Sequence, residues 1–318
     1  MADVASVAGP PVPPRVRGWP RAAGLLGIAM ATAVMEASVL IAVSFLVLAL
    51  VLGYRPLGVF LVCLVAVAVV TYGIPPRDAL WYVERGWAVL MGGAFVALTL
   101  RRPEAEFSGR ALAAVAGAAA VAAGVLAVRS GAWGTVEWAV EQRISEGLGT
   151  ALEALRTLRG GDALPPALVT AVHETVRTQA KVFPALLGLS SMAALGVAWW
   201  VYVRLSSGSD QGVGPLRDFR FNDHLVWVFI GGLVLLVTPW EDVLARVGAN
   251  AVVFMGALYA LRGAAVILFL SGGLSLFGYV ILVFGLVFLP PLVLTGAMVI
   301  GIGDTWIDVR RRLRSTPV

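Results

Sequence analysis

Residues 250–270, NAVVFMGALYALRGAAVILFL, form an apolar run that carries one charge, Arg262. About 20 residues at 1.5 Å rise make a helix as long as a bilayer's hydrocarbon core is thick. A charge inside such a span costs several kcal/mol unless it is paired or reaches water. Arg262 is therefore either a functional polar contact or an arginine that snorkels or pairs within a helical bundle. The chain continues into a second apolar run that ends at residues 301–312 as GIGDTWIDVRRR. Asp304 and Asp308 stand one helical turn apart, followed by Arg310, Arg311 and Arg312. This pattern predicts a helix end fixed by ion pairs and anchored to anionic lipid headgroups.

Runs of this kind recur outward from the C-terminal one. Of 318 residues 59% are apolar and only 14% charged, and the mean hydropathy is +0.88. A soluble domain could not present such a composition to water. The alternating pattern of an outer-membrane barrel is absent. The expected class is an all-α polytopic bundle with eight to ten transmembrane crossings. The net charge of +5 comes from arginines in short loops and at the C-terminus, which suits membrane orientation and headgroup contact, not nucleic acid. The single cysteine, Cys63, lies in an apolar run and reads as a packing residue.

In order, residues 1–21 are a Pro-rich basic tail with Arg15, Arg17 and Arg21. Residues 22–128 hold the N-terminal transmembrane helices, beginning with 33 residues interrupted only by Glu36. Ala23, Gly27 and Ala31 repeat every four residues there, a small-residue ridge suited to docking a partner helix. Residues 129–181 are the one long polar segment. In it Trp133, Val140, Ile144, Leu148, Leu152 and Leu155 form an amphipathic stripe. A second stripe, Leu168, Val172, Val176 and Phe183, follows Pro165-Pro166. Such a pair packs on the membrane surface or caps the bundle, and a ligand lid is the sharper alternative. Residues 182–309 return to the membrane and residues 310–318 form a basic tail.

Two runs, residues 22–54 and 274–302, are overlong for one crossing, and the second is broken by Pro290-Pro291. Reading both as hairpins gives ten crossings. Arg55, Arg101, Arg102, Arg110, Arg204, Arg217 and Arg220 then share the cytoplasmic side with both termini, as the positive-inside rule favours.

Catalytic signatures are missing. His173 and His224 have no ligand-spaced partners, so neither a metal site nor a cofactor is expected. No nucleophile elbow or phosphate loop occurs. Gly301-Ile302-Gly303-Asp304 matches the Gly-x-Gly-Asp of intramembrane aspartyl proteases, but the second aspartate that such chemistry requires has no counterpart in an earlier span. The chain is not expected to be an enzyme.

Several short stretches carry a resemblance. Phe183-Pro184-Ala185-Leu186-Leu187 opens a span ending in Trp200-Val201-Tyr202-Val203-Arg204. Phe219-Arg220-Phe221, Asn250, Leu258-Tyr259-Ala260-Leu261-Arg262-Gly263 and the 301–310 motif follow. Together they resemble the YybS-like family of bacterial membrane proteins, which is grouped with substrate-binding components of energy-coupling-factor vitamin transporters. Asn222-Asp223 departs from the Leu-Pro expected there, and Arg262 from the commoner glutamine. The resemblance implies a bundle in the bacterial cytoplasmic membrane whose first helix docks an energising partner. Together with the intramembrane arginine it motivates one reading, a small-molecule binding component of a transporter with a polar pocket lined by Arg262, Asn250, Tyr259 and Glu36. The alternative is a scaffold in which these groups hold helices together and residues 129–181 contact another protein.

Overall fold

The computed structural model describes residues 79–314 except 103, 130, 163, 206–215, 240–241 and 274. Expectations placed on Glu36, Cys63, the 22–54 run and the Ala23, Gly27, Ala31 ridge lie outside the described residues. Among the described residues every regular element is helical. The chain is an all-α polytopic bundle, as expected. Its helices are α1 (Ala79–Arg101), α2 (Phe107–Val128), α3 (Ala132–Leu158), α4 (Pro166–Leu205), α5 (Val226–Val237), α6 (Asp242–Leu270), α7 (Leu276–Phe288), α8 (Pro290–Ile307) and the short α9 (Val309–Arg314). Single 3₁₀ turns cover Leu216–Asp218 and Asp223–Leu225.

Helices α1, α2, α4, α6 and α8 are long and apolar enough to cross a membrane. Helices α5 and α7 are equally apolar, but with 12 and 13 residues they reach only about 18–20 Å. The overlong 274–302 run is two helices that meet at Leu289, with Pro290 in the first turn of α8. A missing N–H costs nothing at that position.

Contacts fix the helix directions. Trp87 meets Ser191 and Phe95 meets Trp199, so α1 and the second half of α4 run parallel. Phe107 meets Trp199 and Gly188 meets Val115, so α2 returns between them. Ala185 meets Asn250 and Gly188 meets Phe254, which makes α6 parallel to α4. Phe229 and Gly232 on α5 meet Gly256 and Ala251 on α6, an antiparallel hairpin. Met298, Gly301 and Asp304 on α8 meet Gly256, Tyr259 and Arg262 in rising order, so α8 runs parallel to α6. The 102–106 loop, residues 216–225 and the C-terminal helix therefore share one end of the bundle. Residues 238–239 and the α3–α4 connection lie toward the other.

At that other end α3 and the first turns of α4 form a helical arm. The 40 residues of α4 make about 60 Å, twice a hydrocarbon core, so much of the helix lies outside it. The expected boundary between residues 181 and 182 falls inside this continuous helix. The predicted stripe is buried only at the arm's base, where Ala139 and Val140 pack on Leu80 and Ala180. Farther out, Leu155 and Leu158 are exposed. Two ion pairs of 2.8 Å tie the base to the bundle: Arg143 to Glu84 on α1 and Arg246 on α6 to Glu137.

Candidate functional site

Arg262 is positioned by close helix packing. A Cβ placed on Gly263 would overlap the Ala297 carbonyl, and one on Gly301 would overlap the Tyr259 carbonyl. Glycine at both positions lets the backbones of α6 and α8 touch. Arg262, beside Gly263, then reaches Asp304, three residues past Gly301.

The guanidinium is fully buried and each of its nitrogens donates. Nε bonds Asp304 Oδ2 at 3.0 Å, Nη1 bonds Asp223 Oδ1 at 2.5 Å, and Nη2 bonds the Asp304 carbonyl at 3.3 Å. The Phe221 ring lies 5.6 Å from its centre. Asp304 Oδ2 also accepts from Arg310 Nη2 at 2.9 Å. Arg310 donates from Nη1 to the carbonyls of Arg217 and Phe219. Arg220 donates to Asp308 at 3.0 Å. Three arginines and three aspartates thus form a charge-balanced cluster that joins the 216–223 segment to α6, α8 and α9. Of the two acids that bind Arg262, Asp304 is buried and Asp223, with 51% of its side chain accessible, opens to the outside. The Arg220–Asp308 pair is also partly accessible. Asp304 Oδ1 is buried without a hydrogen-bond partner among the described residues.

The other predicted site residues distribute unevenly. Tyr259 lies one turn from Arg262, fully buried between the rings of Phe221 and Phe229 at 5.1 and 5.9 Å. Asn250 is twelve residues earlier on α6, about 18 Å along its axis. Its carboxamide is occupied there: Nδ2 donates to the carbonyls of Lys181 and Arg246, and Oδ1 accepts from the Ala185 N–H. Arg262 and Tyr259 therefore come together and Asn250 does not join them. The tail splits as well. Asp304 and Arg310 are buried in the cluster and Asp308 binds Arg220, while Arg311 and Arg312 are exposed at the bundle's end. Sequence reasoning missed Asp223 and Asp304 as partners of Arg262. The available signal was that a buried cation in a lipid-facing span requires a buried anion, and Asp304 is the acid that closes the only other charged apolar run nearby.

No group of three or more histidine, cysteine or acidic side chains among the described residues could hold a metal. The architecture defines a polytopic α-helical membrane protein in which Arg262 and Arg310 are neutralised by Asp304 and Asp223. The chain belongs to the family described as "Predicted membrane protein (DUF2232)", whose model matches residues 22–305. No curated protein and no solved structure matches it.

Proposed function

We propose that this protein is a structural membrane component that assembles with a partner protein and holds the α3–α4 arm on a helical bundle. One observation carries the reading: every nitrogen of Arg262 is engaged by Asp223 or Asp304. A neutral, internally paired cluster supports a clamp between segments and leaves little charge with which to draw a ligand. The partner surface under this reading is the outer arm, where Leu155 and Leu158 are exposed. The arginine-rich end faces the cytoplasm of a bacterial cell and the arm faces outward, since positive loops stay inside.

The second reading is a small-molecule binding component of a transporter, in keeping with the family resemblance. It is favoured by Asp223, half-exposed on Arg262, and by the unpartnered Oδ1 of Asp304. A photo-crosslinking residue at Thr157 in cells tests the first reading. The expected result is a discrete adduct that disappears when Leu155 and Leu158 become glutamate. A small molecule that raises the melting temperature of the wild type, but not of Asp223→Asn, would overturn it in favour of the second.

A further inference from the structure

Helix α4 has a proline in its interior, Pro184. A proline there cannot donate to the carbonyl four residues earlier, and its ring crowds that carbonyl, so the ladder opens around it. The adjoining rung links the Lys181 carbonyl with the Ala185 N–H. Both ends of that rung are bonded by one side chain from another helix: Asn250 donates to Lys181 O at 2.8 Å and accepts from Ala185 N at 2.9 Å. Its remaining amide hydrogen goes to Arg246 O at 2.9 Å, which fixes the plane of the carboxamide on its own helix. One turn earlier on α6, Arg246 holds Glu137 of the arm at 2.8 Å. One turn later, Phe254 packs against Gly188. On its α6 side the joint between arm and bundle thus runs through three successive turns, while Leu80 and Glu84 of α1 hold the other side.

We propose that Pro184 is a hinge in α4 and that Asn250 is its latch, setting the angle at which the arm stands on the bundle. A carboxamide is suited to this because it supplies a donor to the Lys181 carbonyl and an acceptor to the Ala185 N–H in one planar group. An aspartate in its place would accept from Ala185 but would turn a charge toward two carbonyls. Serine or alanine would leave the rung open. Release of the latch frees the arm to swing about Pro184 while the Glu137–Arg246 and Arg143–Glu84 pairs act as tethers.

The test uses the full chain in lipid nanodiscs with Cys63→Ser, spin-labelled at Thr157→Cys on the arm and Val243→Cys on α6. Pulsed dipolar spectroscopy reads the distance between the labels. The wild-type background should give one narrow distribution and Asn250→Ala a broadened or displaced one. Pro184→Ala combined with Asn250→Ala should be narrow again, because an uninterrupted helix needs no outside carboxamide. An Asn250→Ala distribution as narrow as wild type overturns the proposal, as does a double variant as broad as the single. Should Asn250→Ala yield no folded protein, the double variant decides. Recovery of folded protein supports the latch, and failure shows that Asn250 acts apart from Pro184.

Discussion

Gly263 of α6 and Gly301 of α8 pack backbone against backbone, and this contact sets the register that places Arg262 on Asp304. A methyl group at either glycine would meet a main-chain carbonyl, which cannot rotate away as a side-chain end can. Over-packing of this kind costs about 1–3 kcal/mol. Gly263→Ala and Gly301→Ala are each expected at the upper end of that range, with the helices pushed apart. Gly296→Ala on the same helix, with open space around it, should melt like the wild type. Equal melting temperatures for all three variants in the same detergent would refute the contact.

The charge cluster has an internal order of importance. Asp304 is buried and shared by Arg262 and Arg310, whereas Asp223 is half-exposed. Removing one partner of a buried pair costs about 3–5 kcal/mol, while an accessible pair contributes at most about 1 kcal/mol. Arg262→Gln and Asp304→Asn should therefore depress the yield of monodisperse protein sharply, and Asp223→Asn only slightly. Fluorescence-detected size exclusion after graded heating reads all three. Asp223→Asn behaving as badly as Asp304→Asn would contradict this ranking.

Much of this architecture is legible in the sequence, for a physical reason. Lipid forces backbone groups to bond within a segment, so an apolar run of sufficient length is a helix whatever its neighbours. The break at Pro290 and the amphipathic base of the arm follow from the same local rules. Which polar groups meet does not. Arg262 and Asp304 lie 42 residues apart, and their meeting depends on which turn of α8 faces α6. Gly263, Ala297 and Gly301 decide that. In the Ala23, Gly27, Ala31 ridge, small residues of this kind speak only of a generic capacity for close packing. Asn250 reads as a pocket residue because its type is rare in a span. Its partners are main-chain atoms on either side of Pro184 and on its own helix, and a lone proline inside an apolar run is the clue to them.

Asp308 ends α8 in the left-handed region, at φ 45° and ψ 55°, while its carboxylate holds Arg220. Aspartate and asparagine enter that region more readily than other non-glycine residues. Asp308→Asn should cost little, keeping the backbone and losing only a half-exposed ion pair. Asp308→Val should lose both, with the β-branched side chain adding about 1–2 kcal/mol of backbone strain. Thermal melting of the pair separates backbone from charge. A valine variant as stable as the asparagine one would mean that the helix end relaxes to another conformation.

The parallel courses of α4, α6 and α8 place the arm and the C-terminal helix at opposite ends of the bundle. Arg101, Arg102, Arg110, Arg217, Arg220, Arg310, Arg311 and Arg312 all stand at the C-terminal end. The other end has Arg85 and Arg246 at the bundle, and the arm's own charges count little because long polar segments translocate largely regardless of charge. In cells expressing the full chain with Cys63→Ser, a membrane-impermeant maleimide should label Thr157→Cys before permeabilisation and Arg311→Cys only after it. Labelling of Arg311→Cys alone would keep the fold and invert its orientation. Labelling of both before permeabilisation would place the arm and the C-terminal helix on one face, and no parallel arrangement of α4, α6 and α8 could survive that result.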